Sequence, residues 1–537
     1  MFRREFLSSS VSGLFALSQT ASAASQTARA TNAATEALEC DVFVYGSTPG
    51  GVTAAIEAAR RGVKVVLACP QQHPGGMAAS GLSTTDAVRT SLFGGQVAEF
   101  IGRVRSYYQR ELANKPEEYA LTREGWFYEP SVAELVFTEM LEGEHKQLRW
   151  LKSHWLTQAT LTDRKIRSVE LEDKQKRRVT VRARVFIDGT YEGDLAAAAK
   201  VPYRVGREAK AEHGEPFAGI HYMNFRTGQQ IMTPDTGEAS PAIQAFCARS
   251  IFTDDPAHKV TIEKPASYDL HEVDFLPLLD DFRTGRVKSW GWGARLPNRK
   301  YQMNGNIEGH TSLNIPGASW TWPEAERYHR ERLAQFHVDH AAGLLWFLGN
   351  DPRVPNAIRA KMSQIGVDRR EFKTTAHWPW QIYVRQGRRI EGRAIATQHN
   401  FMVNASTGRT PAVKRAIAIG EHSFDVHPCH DRRFAVDGFM EGVLWYPKKA
   451  FGPAQPGQIS YDVMLPKNVD NLLVPVAMSS THVAMSVLRM EPVWMTTGQI
   501  AGLAATVAMA QRVEVSAIDP DPLPKTLKVQ TDPYAKS

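Results

Sequence analysis

Three histidines and a set of arginines have side chains whose types could do chemistry. His310, His427 and His482 can move a proton near neutral pH. Asp425 lies two residues before His427 in Phe424-Asp425-Val426-His427 and could orient that ring. Arg385 and the adjacent pair Arg388-Arg389 could each grip a carboxylate or phosphate with two parallel N–H bonds, or serve as ordinary helix-surface charges. Arg489 could add a full positive charge to a site, or close on Glu491 as a structural ion pair. Trp320-Thr321-Trp322, with Asn314 and His310 nearby and Trp290, Trp292 and Trp346 in the same stretch, could line a sugar-stacking wall; core packing is the other use of tryptophan. With 17 histidines in the chain, residue type alone selects none of them. The elements that position these groups must do so.

Positioning starts at residues 41–45, a short apolar run that reads as a buried strand. Gly46-Ser47-Thr48-Pro49-Gly50-Gly51 then turns the chain, 52–61 is an alanine-rich helix former, Gly62 sits where a C-terminal cap belongs, and 63–68 is a second apolar run. Strand, glycine turn, helix and strand in this order make the βαβ unit that binds a dinucleotide. Gly46 permits the tight turn, Gly51 lets the helix approach the strand, and free N–H groups at the helix start receive the pyrophosphate. Thr48 stands where the pattern has its central glycine, and Cys69 where it has an acid for the ribose. A plain structural glycine turn is the alternative.

A second strand–turn–helix follows. Residues 185–188 read as a strand, Gly189-Thr190 as its turn, and Asp194 as the cap of a helix over 195–200. Near the end, 472–477 reads as another buried strand, and a helix starts near Pro492, a residue suited to a first helical turn. Although 492–510 is apolar, Thr, Gly and Gln interrupt it, so it reads as a core helix and no stable membrane span is expected.

At 537 residues the chain can bury a core in two domains plus tails, and 43% apolar against 23% charged residues exclude wholesale disorder. The formal charge of +7 is spread among interleaved acids and bases, which excludes a nucleic-acid track. Arg3-Arg4-Glu5-Phe6-Leu7, the apolar stretch 11–17 and Ala21-Ser22-Ala23 read as a twin-arginine signal over 1–23; an accidental arginine pair is the alternative. Cleavage would remove Arg3, Arg4 and Glu5 and take the charge from +7 to +6. Residues 24–37 read as a linker and 516–537 as an extended, proline-bearing tail. Cys40, Cys69, Cys247 and Cys429 permit disulfides without fixing any pairing, and their spacing suits no metal cluster, so no metal is expected.

Longer motifs then recur in order: Pro74-Gly75-Gly76-Met77, Trp126-Phe127-Tyr128-Glu129-Pro130, Ile187-Asp188-Gly189-Thr190-Tyr191-Glu192-Gly193-Asp194, Trp378-Pro379-Trp380 through Arg389, Ser480-Thr481-His482, Arg489-Met490-Glu491-Pro492 and Gly498-Gln499-Ile500. Over roughly 40–510 the chain resembles a family of FAD-dependent oxidoreductases, many exported and some loosely labelled as xanthan-lyase-associated. Ser486-Val487-Leu488 departs from the family's usual Gly-Ser-Ile.

The resemblance implies an α/β fold: a discontinuous Rossmann-like FAD-binding domain from 38–200 and 400–515, with an α+β substrate or cap domain inserted over 201–399. It implies FAD contacts at Gly46, Thr48, Pro49, Gly50, Gly51, Gly75, Gly76, Met77, Asp188, Gly189, Asp194, Glu491, Gly498 and Gln499. Its closing helix would aim its positive end at the flavin edge where charge builds on reduction. His482, lying between the last strand and that helix, becomes the favoured base, with His427, Arg385 and Arg489 as further catalytic candidates. The activity implied is hydride transfer from a small organic substrate, a sugar or hydroxy acid, onto flavin N5, in the periplasm or outside the cell. The implied partners are that substrate, an electron acceptor of unspecified kind and the twin-arginine translocation machinery, with no nucleic acid. The competing reading is an exported flavin-holding or carbohydrate-binding protein without turnover. A nicotinamide dehydrogenase would leave the closing motif without a purpose.

Overall fold

A parallel sheet organises the molecule, and its strands come from both ends of the chain. The computed structural model describes residues 36–224, 229–231, 236–290, 293–303, 310–430, 439–444 and 455–534. The expected signal at 1–23, nearly all of the linker and Trp292 lie outside the described residues. Five strands run in the order Leu472–Leu473, Val185–Asp188, Val42–Tyr45, Val65–Ala68, Leu148–Leu151, every neighbouring pair parallel. Val42-Phe43-Val44-Tyr45 is buried on both faces, which is why the run is apolar throughout and shows no alternation. Tyr45 is in register with Asp188 on one side and Ala68 on the other, so two central strands end side by side.

The helix Pro49–Arg60 returns from the first strand. Against it packs the closing helix Glu491–Gln511, apolar on nearly all sides and therefore buried. This helix is long and apolar enough to cross a membrane, yet 83% of its apolar window is covered by the rest of the protein. A Cβ at Gly498 would run into the Gly50 carbonyl oxygen, and one at Gly502 into that of Ala54, so the glycines set how closely the two helices approach. Thr53 Oγ1 donates to the Met495 carbonyl at 2.8 Å across the same contact.

A four-stranded sheet (Glu36–Glu39, Arg178–Arg182, Lys165–Asp173, His154–Thr162) precedes the Val185–Asp188 strand. Its first strand begins inside the stretch expected as linker. Within 201–399 lie an antiparallel five-stranded sheet centred on Ile251–Thr253 and the long helix Arg327–Asn350. Residues Glu36–Ser537 cluster as one unit. The expected extended tail holds a short helix, Pro522–Leu527, because Leu523 and Leu527 find cover in the core. All four cysteines are free thiols, and Cys69, Cys247 and Cys429 are buried.

Candidate active site

Three glycine-bearing turns meet at the carboxyl ends of the central strands, where open α/β sheets bind their ligands. Gly46, at φ +105°, takes a conformation open to glycine, and a Cβ there would stand 2.6 Å from the Gly189 carbonyl carbon. Thr48 supplies what the missing glycine would not. Its hydroxyl caps the helix by accepting from Gly51 N at 3.2 Å, and it donates to the Gly189 carbonyl at 2.6 Å. Pro49 occupies the first helical turn, where its missing N–H costs nothing. Gly75 N donates to the Ser47 carbonyl at 2.8 Å, docking the Gly-Gly-Met turn on the first turn. Cys69, at the acid's expected place, is wholly buried; its thiol faces the Gln71 carbonyl and accepts from Trp150 Nε1.

The second strand–turn–helix differs from expectation in its cap. The helix is Asp194–Ala198, and Asp194 makes no side-chain cap. Asp188 does that work: one carboxylate oxygen accepts from Thr190 N and Oγ1, the other from Ala196 N at 2.8 Å. Burial pushes the Asp188 carboxyl up to about 6, against the pull of those Thr190 bonds. Asp194 instead holds Arg330 at 2.7 Å and Arg388 at 2.9 Å.

Tyr191 joins the motifs. Its hydroxyl accepts from Met77 N at 2.9 Å and donates to Glu491 Oε1 at 2.6 Å, and its ring lies 5.1 Å from that of Trp494. A Cβ on Gly76 would strike the same hydroxyl. Burial pushes the Glu491 carboxyl up to about 8; the Tyr191 bond opposes the shift and Asp86 adds to it. Around this node Ser83 Oγ, Tyr128 OH, Glu491 Oε2 and Trp494 Nε1 are buried without hydrogen-bond partners. Buried polar atoms are rarely left so, and a run of them fits a polar group held in the crevice.

The catalytic candidates share one neighbourhood. His482 opens the short helix His482–Leu488, placed there by the Thr481 cap. Gln386 Nε2 donates to the Gly206 carbonyl, which turns Gln386 Oε1 toward His482 Nδ1 at 2.8 Å. The imidazole therefore carries its proton on Nδ1 and leaves the buried Nε2, which has no partner, as a lone pair. Burial, then the charges of Arg207 and Arg389, hold His482 well below the ordinary histidine range. Arg489 donates to Asp425 at 2.8 Å and to Tyr383 OH at 3.3 Å, and not to Glu491; the alternative of an Arg489–Glu491 ion pair fails because Glu491 faces Tyr191. His427 Nε2 lies 3.7 Å from Asp425. Burial and then Arg385 push His427 down to about 3, so it is neutral. Burial disfavours the Asp425 carboxylate, but its contacts with His427 and Arg489 keep it ionised.

Other expected roles fall to packing. Arg388 is taken by Asp194 and Arg389 by Glu208 at 3.0 Å, so neither is left to clamp a ligand. Gln499 donates to Glu57 and accepts from Gln96 N, and Gly498 sits in the helix contact, both away from the helix start. Trp290 and Trp322 are buried, Trp320 Nε1 donates to the Cys429 carbonyl, and His310 pairs with Asp281 at 2.6 Å, so among the described residues these groups are taken up by packing and pairing and do not line a sugar wall. Sequence reasoning missed Tyr191, Gln386, Tyr383 and Arg249 as positioning groups. It also missed His271, Asp274 and His340, whose ligand atoms lie within 4.8 Å of one another although no metal was expected; two of the three come from one helix, the third from another, so no local spacing flags them.

The sequence pattern of the FAD dependent oxidoreductase family matches residues 41–528. The chain belongs to this family. Its cofactor is FAD, and the crevice of glycine turns and unmet polar atoms fits that group. No curated protein sequence matches the chain. Among solved structures, the chain is similar to a myxobacterial chondrochloren halogenase, an FAD-dependent enzyme (11% identity, 91% of this chain, 78% of that one, TM-score 0.35). A geranylgeranyl bacteriochlorophyll reductase-like protein from Thermoplasma acidophilum matches at 10% identity over 92% of this chain and 84% of that one, TM-score 0.33. An L-proline dehydrogenase from P. horikoshii matches at 12% identity over 33% of this chain; the chain spans 26% of that structure, TM-score 0.19.

Proposed function

We propose that this family member is an exported dehydrogenase or oxidase that takes a hydride from a small organic substrate, a sugar or a hydroxy acid. The observation that carries the reading is the open Nε2 of His482, its tautomer fixed through Gln386. FAD, when bound, supplies the hydride acceptor at N5. His482 Nε2 takes the proton of the hydroxyl being oxidised, and Gln386 keeps the ring turned for that transfer. Arg489, held by Asp425 two residues before the closing helix, adds positive charge beside the positive end of that helix, where negative charge gathers on reduction. Glu491, holding its proton at neutral pH, adds no opposing charge there.

The test is anaerobic: purified holoprotein mixed with a panel of hydroxy acids and sugars, followed by flavin absorbance. Bleaching by one class is expected. No bleaching across the panel, with glycan binding alone, would return the protein to the non-catalytic reading. Export rests on Arg3-Arg4 and the small residues Ala21-Ser22-Ala23. A route for folded proteins suits a preloaded cofactor. Replacing both arginines by lysine should leave the flavoprotein in the cytoplasmic fraction, and unchanged export would remove that part of the proposal.

A further inference from the structure

Several buried or half-buried guanidinium groups have carboxylate partners: Arg207 with Glu441, Arg388 and Arg330 with Asp194, Arg389 with Glu208, Arg489 with Asp425. Arg385 departs from that pattern. It is fully buried, and among the described residues it pairs with no carboxylate; its guanidinium donates to the Ala245 carbonyl and weakly to Cys247 Sγ at 3.6 Å, and its Nε has no partner. A charge taken out of water in this way is costly unless an opposite charge meets it.

Arg385 also sits among cations. Its guanidinium lies 4.6 Å from the centre of the Tyr383 ring, with Arg249 at 4.1 Å and Arg489 at 6.0 Å from the same ring. Asp425, paired with Arg489, and Asp86, which acts on Arg249, are the carboxylates that offset them. One positive charge is thus left over beside Tyr383.

Nearby donors are also short of acceptors. Gln244, next to the Ala245 carbonyl that Arg385 holds, accepts from His427 N with its oxygen and leaves Nε2 buried without a partner. Surplus positive charge together with idle N–H donors calls for an anionic, acceptor-only group.

We propose that Arg385, assisted by Gln244, anchors a carboxylate carried by the substrate. This rests on the proposed activity at the same site and narrows its substrate to carboxylic acids, hydroxy acids in place of neutral sugars. Arg385 then does for the substrate what Asp425 lets Arg489 do for the cofactor's edge: it fixes a charge, while His482 faces the group to be deprotonated.

The probe is propionate, with propionamide as its neutral match, titrated into purified holoprotein and read by the flavin difference spectrum and by calorimetry. Propionate should bind and propionamide should not. Arg385→Gln should weaken propionate at least tenfold while retaining FAD, and Arg110→Gln, at an exposed pair with Glu111, should change nothing. Equal binding of acid and amide, no binding of either, or undiminished binding in R385Q would each overturn the proposal. So would an R385Q that sheds FAD yet still binds propionate, since the arginine would then serve the flavin. If R385Q does not fold, the wild-type contrast of acid with amide still decides. Selective propionate binding with no compound bleaching the flavin would sink the proposed activity and leave the carboxylate site standing.

Discussion

The Tyr191 hydroxyl donates to Glu491 Oε1 at 2.6 Å while accepting from Met77 N at 2.9 Å. One phenol thereby ties the Gly-Gly-Met turn, the second strand–turn–helix and the first residue of the closing helix. Tyr191→Phe should leave a buried N–H and a buried carboxyl unmet, costing about 1–3 kcal/mol. A lower urea midpoint together with faster release of FAD is the expected result. An unchanged midpoint would show that neither bond matters to the folded state.

Glu491 gives the fold a pH dependence of defined sign. Its carboxyl is raised to about 8, so the folded chain keeps a proton that the unfolded chain, at its ordinary 4.5, has already released. Between those values the native state binds more protons, and stability falls as pH rises, by about 1.4 kcal/mol per unit for one whole proton. Glu491→Gln removes the ionisation. Its stability relative to wild type should therefore improve steadily from pH 5 toward pH 8, read from urea midpoints of the two holoproteins. Parallel profiles would place the ordinary carboxyl value back on Glu491.

Asp194 balances two cations, Arg330 and Arg388, whose side chains are only 17% and 10% exposed. Asp194→Ala strands both charges, and breaking such a pair costs about 3–5 kcal/mol. The pair Arg164–Asp470 supplies the contrast, because Arg164 is 52% exposed. Asp470→Ala should cost well under about 1 kcal/mol. Thermal unfolding of the two variants side by side checks the difference, and similar losses would refute it.

The strands and turns were legible because their causes are local. A buried parallel strand needs an unbroken apolar run, which Val42-Phe43-Val44-Tyr45 shows, and a tight turn needs glycine where φ is positive, as at Gly46. Pairings were not legible. Arg388 finds Asp194 and Arg489 finds Asp425 only after the chain has folded. The same holds for the cap: Asp194 has the right type in the right place, yet the carboxylate that reaches Ala196 N comes from Asp188 at the strand's end. Thr48 looked like a blemish in the glycine pattern because its hydroxyl's two partners, Gly51 N and the Gly189 carbonyl, lie on different turns. Tyr191 stood inside a recurring motif without a role, since its importance is where Met77 and Glu491 happen to meet.

His482 is the group on which proton transfer turns. Gln386 fixes its Nδ1 proton, and the buried Nε2 is left as the base. His482→Ala should slow flavin bleaching by about 10²–10⁴-fold while FAD stays bound. Gln386→Leu should slow it less, because the ring keeps its base but loses the bond that sets its tautomer. The pH profile separates this role from a structural one. Burial and the charges of Arg207 and Arg389 keep the imidazole well below its ordinary 6.5, so the wild-type rate should not fall as pH passes down through that value. A normal histidine limb near 6.5, or an H482A enzyme that bleaches at the wild-type rate, would assign the proton to another group.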